Sequence, residues 1–226
     1  MTRTLPETAF LCGTDIGFGM TRQFINKGIE FVYATLDKLD GTLVDAGSPR
    51  LSGLVELANL SSIIGNLLAT GIGKAGANIY GRAGPHKYQD LRAINERDHA
   101  HVEIKVALET NKPKGHLPKA GYYLTCRYVL GNEHGGYVKG KDNRGAVVWI
   151  WEVRFGCLKL KHFNVSNTAR DSGKTAVVNA QGMEALKVVY FDPRFFPYGP
   201  KSKYARGLSI AQPLPTLKKS MRDRAS

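Results

Sequence analysis

The chain has 226 residues, with 32 Lys and Arg against 19 Asp and Glu, a net charge of +13. A composition of 42% hydrophobic and 23% charged residues excludes a disordered polyampholyte. No stretch approaches the roughly 18 consecutive apolar residues of a membrane-spanning helix. The length suffices for a sizeable core in one large domain or two small ones. Cys12, Cys126 and Cys157 stand at wide, unpatterned spacings, which argues against a disulfide framework or a zinc site and fits a reducing cytoplasm. Met1 to Phe10 lacks an apolar core, so no secretory leader is expected. The positive surplus creates a field that attracts polyanions, nucleic acids first among them.

In chain order, residues 1–19 read as an irregular lead-in. Phe24, Ile25, Gly28, Phe31, Val32 and Thr35 stand near helical spacing and predict a helix over 21–39, ending at the Asp40-Gly41 turn signal. Leu51, Leu54, Val55 and Ala58, then Leu60, Ile63, Ile64, Leu67 and Leu68, predict a second helix over 51–68, with Ser48 as N-cap and Pro49 at its first position. The glycines from Gly71 to Gly84 are expected to end or fragment it. After Pro85 the pattern turns to strands. Segments 86–94 and 101–108 flank a polar turn at Asn95–Asp98, and 122–130 and 146–155 are rich in Tyr, Val and Trp. Segment 158–163 alternates apolar and basic residues, 166–174 is a polar loop, 185–191 is apolar, and 193–200 is an aromatic turn. Helices first and strands after predict a mixed α+β fold, a central mixed sheet flanked by helices. A single domain over 1–208, with its core about 50–165, and a basic tail over 209–226 complete the layout.

Three phosphate-loop lookalikes fail. Gly71-Ile72-Gly73-Lys74-Ala75-Gly76 fits G-x-G-x-x-G but follows a helical pattern where the dinucleotide fingerprint requires a strand. Gly73-Lys74 and Gly173-Lys174-Thr175 lack the first glycine of a P-loop, having Leu68 and Thr168 there. A Ser-His-Asp hydrolase would need a G-x-S-x-G elbow, which is absent from the sequence.

The informative constellation is Asp90, Glu103 and Lys105. Period-2 alternation puts Glu103 and Lys105 on one strand face with Ile104 opposite. If the two strands pair as a hairpin, Asp90 approaches Glu103. Two carboxylates and the Ile104 carbonyl then form an all-oxygen site for a hard cation, Mg²⁺ or Mn²⁺. Such a site suits phosphodiester hydrolysis, with Lys105 orienting water and stabilising developing charge. His99 and His101 share the Glu103 face and are weaker candidates; Asp98 belongs to the turn.

Gln89-Asp90, a twelve-residue gap, and Glu103-Ile104-Lys105 between Val102 and Val106 resemble the PD-(D/E)-X-K nuclease superfamily, in particular type II restriction endonucleases. Gln89 stands where that pattern carries proline. The resemblance covers roughly residues 50–110. It implies a restriction-endonuclease-like core, Mg²⁺-dependent hydrolysis of double-stranded DNA, and a homodimer that cuts both strands. It also implies a further acidic residue from the preceding helix, for which Glu56 is the candidate. A repair or junction-resolving nuclease of the same superfamily, and a non-enzymatic basic nucleic-acid-binding protein, are the alternatives.

Lys112, Lys114, His116 and Lys119 follow the proposed active strand and are candidates for phosphate contact. Asn167, Arg170, Asp171 and Lys174 are of types that read base edges in the major groove. Trp149, Trp151, Tyr122, Tyr123 and Tyr128 are expected in the core or at an interface, and Cys126 as a small core residue.

Overall fold

A six-stranded mixed sheet organises the chain. The computed structural model describes residues 3–84, 89–115, 118–166, 175–199 and 202. Strands β3 (Tyr80–Arg82), β4 (Leu91–Ala93), β5 (Val102–Leu108), β7 (Gly121–Gly131), β8 (Val147–Leu158) and β11 (Lys187–Phe191) lie in the spatial order β11-β8-β7-β5-β4-β3. All neighbours are antiparallel except β5 and β7, which run parallel from Val102↔Tyr122 to Leu108↔Tyr128. A parallel pair needs a connection that returns to the starting end. Here residues 109–120 make it, and they contribute a short strand β6 (Lys114–Gly115) to a separate three-stranded sheet, β6-β10-β9. In that sheet β9 (Phe163–Ser166) and β10 (Thr175–Val178) pair antiparallel. A small hairpin, β1 (Asp15–Gly17) and β2 (Met20–Thr21), precedes the first helix. The expected mixed α+β architecture with a central mixed sheet is the one observed.

Two long helices supply the apolar cover. Helix α1 spans Arg22–Asp45, capped by Thr21, whose Oγ1 accepts from the Phe24 N–H at 3.2 Å. It runs past the expected stop at Asp40-Gly41. Asp40 is buried and accepts the Leu51 N–H at 2.8 Å, so this residue caps the next helix instead of turning its own. Tyr33 fastens α1 to the sheet: its hydroxyl accepts the N–H of Ile150, which lies at the irregularity of the β7–β8 register.

The second expected helix is interrupted. Residues Leu51–Leu54 form a single turn, α2; Val55 and Glu56 are extended, and α3 runs Leu57–Ala75. Arg50, not Ser48, occupies the N-cap of α2. Leu60, Ile64, Leu68 and Ile72, four residues apart, are fully buried and form the inner stripe of α3. The glycines expected to break this helix lie inside it and serve packing. A Cβ at Gly71 would fall 2.6 Å from Phe31 Cβ and 2.9 Å from Gly28 Cα, so two glycines let α1 and α3 approach closely. The first of the phosphate-loop lookalikes, Gly71-Ile72-Gly73-Lys74, is therefore the last turn of a helix. Gly65 brings α3 against β5, its would-be Cβ lying 3.3 Å from Val106 Cγ2.

The opposite face of the sheet is polar at its centre. In-register neighbours share a face. Glu103, Lys105, Tyr123, Thr125, Arg127, Glu152 and Arg154 therefore project together. Glu152 is wholly buried and paired with both Arg127 and Arg154, the latter through Arg154 Nε at 2.9 Å. Arg127 also stacks on Trp151, 4.3 Å from the ring centroid. Helix α4 (Ala180–Ala185) covers part of this face; Met183 and Leu186 pack with Tyr123, Leu158 and Val178 in a small second core. Trp149, Trp151, Tyr123, Tyr128 and Cys126 are buried, as expected; Tyr122 is half-buried.

Of the strand expected over 86–94, residues 86–88 lie outside the described residues and Leu91–Ala93 form β4; the Gly-rich stretch hides an edge strand, β3. Part of the expected 158–163 alternation is a 3-10 turn at Leu160–His162. The chain divides into one compact unit, Met1–Phe196, and a second, Pro197–Ser226. Within the second, the Ser202 N–H donates to the Gly199 carbonyl at 3.0 Å. The basic tail expected over 209–226 lies outside the described residues. Among the described residues no helix is long and apolar enough to cross a membrane.

Candidate active site

The site forms where β4 stops short of β5. The two strands share one antiparallel bridge, Leu91↔Val102, so Asp90 lies just beyond the end of β4 and faces a stretch of β5 that β4 does not cover. Strand β5 presents the N–H and the carbonyl of Ile104 to that gap. The Ile104 N–H donates to Asp90 Oδ2 at 2.7 Å. The reciprocal bond comes from the other side: the Gln89 N–H donates to Glu103 Oε2 at 3.0 Å. The second Glu103 oxygen, Oε1, takes the ammonium of Lys105. The expected hairpin pairing and the shared face of Glu103 and Lys105 are thus both present, and Asp90, Glu103, Ile104 and Lys105 converge.

Gln89 has φ of +68°, in the left-handed region. Proline is locked near −65° and has no N–H. The departure from the Pro-Asp pattern therefore has a physical cause: this turn needs a positive φ and needs the Gln89 N–H on Glu103.

Asp90 has its carboxyl pushed above the usual range. Burial is the main cause and the Glu103 carboxylate the second; the Ile104 N–H and the charges of Lys105 and Arg82 oppose the shift. A half-buried carboxyl that resists ionisation beside a second carboxylate is short of positive charge. Two carboxylates and a strand carbonyl are hard oxygen donors, and this donor set fits a divalent cation such as Mg²⁺ or Mn²⁺. Among the described residues no group of three or more His, Cys, Asp and Glu side chains gathers to hold a metal. Among the described residues two carboxylates, Asp90 and Glu103, stand at this site, and the remaining donors would be the Ile104 carbonyl, water and substrate.

Glu56 is not brought to this group. It is exposed at the N-cap of α3, near the end of the helix where Tyr128 meets Ser61 and the Leu57 carbonyl. That end packs beside the far end of β5, since Tyr128 is in register with Leu108. The residue of α3 that reaches the neighbourhood is Asn66, about 15 Å further along the helix at 1.5 Å per residue. Its Oδ1 accepts from Arg82 at 3.3 Å, and Arg82 pairs with Leu91, next to Asp90. The interruption of the helix at Val55 and Glu56 is the reason: Glu56 belongs to the linker, not to the face over the sheet.

His101 is committed elsewhere. His101 Nδ1 accepts the Ala93 N–H at 2.9 Å and its Nε2 faces Glu96 at 3.1 Å, so the ring ties the hairpin together. His99 packs against Gly19 of the β1–β2 turn. Asp98 is exposed and bonded within the turn to Asn95, as expected.

Lys112, Lys114 and Lys119 are exposed on the connection between β5 and β7. That segment lies beside Lys105: a Cβ on Gly115 would fall 2.6 Å from Lys105 Cε. His116, Asn167, Arg170, Asp171 and Lys174 lie outside the described residues.

Arg82, Thr125 and Gly115 were not marked by sequence. Arg82 sits in a strand of three residues inside a glycine-rich run, too short for alternation to register. Gln89 was legible only as a missing proline. Thr125 and Gly115 take their places from the β5–β7 register and the packing of β6, which local pattern does not encode.

No protein-family model and no curated protein matches this chain.

Proposed function

We propose that the chain is a divalent-metal-dependent nuclease that hydrolyses phosphodiester bonds in double-stranded DNA. The observation that carries this reading is the reciprocal clasp of Asp90 and Glu103, each held by the backbone N–H of the other's chain neighbour, with Lys105 on Glu103. The resemblance to type II restriction endonucleases supports a sequence-specific enzyme acting as a homodimer, and the charge of +13 supports a polyanionic substrate.

Asp90, Glu103 and the Ile104 carbonyl would hold Mg²⁺ or Mn²⁺. Bound there, the cation supplies positive charge against the non-bridging phosphate oxygens and acidifies water. Asp90 and Glu103 need little reorganisation for this, because main-chain N–H groups already fix one oxygen of each. Lys105 brings a positive charge to the same face and is the group that orients the attacking water and offsets charge developing on the phosphate. Arg82 adds positive charge next to Asp90. Lys112, Lys114 and Lys119 would grip the flanking backbone.

The test is incubation of the purified protein with plasmid and phage DNA, in Mg²⁺ and in EDTA. Discrete, Mg²⁺-dependent fragments are expected, and Asp90→Ala and Lys105→Ala are each expected to abolish them while the protein stays folded. A smear supports a repair or junction nuclease using the same residues. Intact DNA in both conditions, with a salt-sensitive gel shift, overturns the nuclease in favour of a binding protein.

A further inference from the structure

The Glu103 carboxylate has two claimants. Lys105 holds its Oε1, and a cation at the clasp needs the same group. A cation that takes Oε1 displaces the ammonium, which then turns to water or to another acceptor close by. One side is closed: the backbone of β6 lies against the Lys105 side chain, and a Cβ on Gly115 would stand 3.0 Å from Nζ.

The other side holds Thr125. It is in register with Lys105 across the parallel β5–β7 ladder and with Arg154 across β7–β8, so its side chain shares their face. Thr125 is 1% exposed, and its Oγ1 has no hydrogen-bond partner among the described residues. A buried hydroxyl left unpaired is destabilising, whereas valine fills the same space without that cost. Flanked by two cationic side chains, the hydroxyl is polarised to turn its hydrogen away and offer its lone pairs.

We propose that Thr125 is a positioning residue for Lys105: its hydroxyl accepts the ammonium once a divalent cation occupies Asp90 and Glu103. The inference rests on the reading of that pair as a cation site. It makes Lys105 a two-position group, on Glu103 without the cation and on Thr125 with it. The hydroxyl lowers the cost of cation entry and holds the lysine beside the site instead of releasing it to solvent.

The experiment is a double-mutant cycle on Mn²⁺ binding, measured by calorimetry on the full chain without DNA. Thr125→Val is expected to weaken Mn²⁺ binding about fivefold or more, and Thr125→Ser to restore it. In a Lys105→Met background Thr125→Val is expected to change nothing, an outcome that a merely structural threonine does not produce. Thermal unfolding in EDTA is expected to show Thr125→Val at least as stable as wild type. On DNA with Mg²⁺, Thr125→Val is expected to lower kcat about 10- to 100-fold with DNA affinity in Ca²⁺ unchanged. Wild-type Mn²⁺ affinity in Thr125→Val, or an equal loss in the Lys105→Met background, overturns the proposal. Absence of Mn²⁺ binding by the wild type removes the cation site and this proposal together. A positive cycle in a protein that cuts no DNA upholds the proposal and removes the nuclease reading alone.

Discussion

The N–H of Gln89 donates to Glu103 Oε2 at 3.0 Å from a backbone with φ of +68°. This bond holds one carboxylate of the candidate site, and only a residue that has an N–H and tolerates the left-handed region can make it. Gln89→Gly is expected to keep Mg²⁺-dependent cleavage near the wild-type rate. Gln89→Pro, which restores the more familiar Pro-Asp pairing, is expected to abolish cleavage and lower the melting temperature. A fully active Gln89→Pro protein would show that the turn does not position Glu103.

Asp90 sets a pH dependence whose sign follows from its raised pKa. The folded protein holds this proton more tightly than the unfolded chain. Its contribution to stability is therefore fully present below the unfolded carboxyl value, near pH 4, and is lost as pH rises through the higher folded value. In EDTA at pH 7, Asp90→Asn is expected to raise the melting temperature by about 2–4 °C, with the gap closing towards pH 4. Mg²⁺ is expected to stabilise the wild type and not Asp90→Asn. Calorimetric scans from pH 4 to 8 with and without Mg²⁺ check both; a destabilised Asp90→Asn at pH 7 contradicts the burial argument.

Glu152 is the shared anion for Arg127 and Arg154 on the polar face of the sheet. Removing it takes away the buried carboxylate that the two arginines share. Glu152→Ala is expected to cost about 3–5 kcal/mol of stability, read from urea unfolding. A loss below ~1 kcal/mol would mean that other groups already neutralise the arginines.

The cysteines give a simple probe of the fold. Cys157 is exposed, whereas Cys12 and Cys126 are buried, and burial pushes the Cys126 thiol well above its ordinary value. A thiol reagent at pH 8 is expected to modify Cys157 at once and the other two only after denaturation. Rapid reaction of Cys126 would mean that the face of the sheet beneath α1 and α3 opens readily.

Period-2 alternation was enough to place Glu103 and Lys105 on one face, and the polar turn at Asn95–Asp98 was enough to fold Asp90 back towards them. These are short-range constraints that a hairpin satisfies almost by itself. The long apolar strands β7 and β8 and the helical periodicity before residue 80 likewise followed from local pattern. What neighbouring residues could not specify was decided by contacts between distant segments. Gly71 reads as a helix breaker until Gly28 arrives from another helix to need the space. Asp40 reads as a stop until it caps Leu51. Glu56 reads as a helical carboxylate until the chain extends at Val55 and leaves it at the wrong end of α3. Thr125 reads as an ordinary strand residue until the parallel register sets it beside Lys105. A pattern of residue types fixes which face a side chain takes. Which other side chain meets it there depends on register and packing, and those are properties of the assembled sheet.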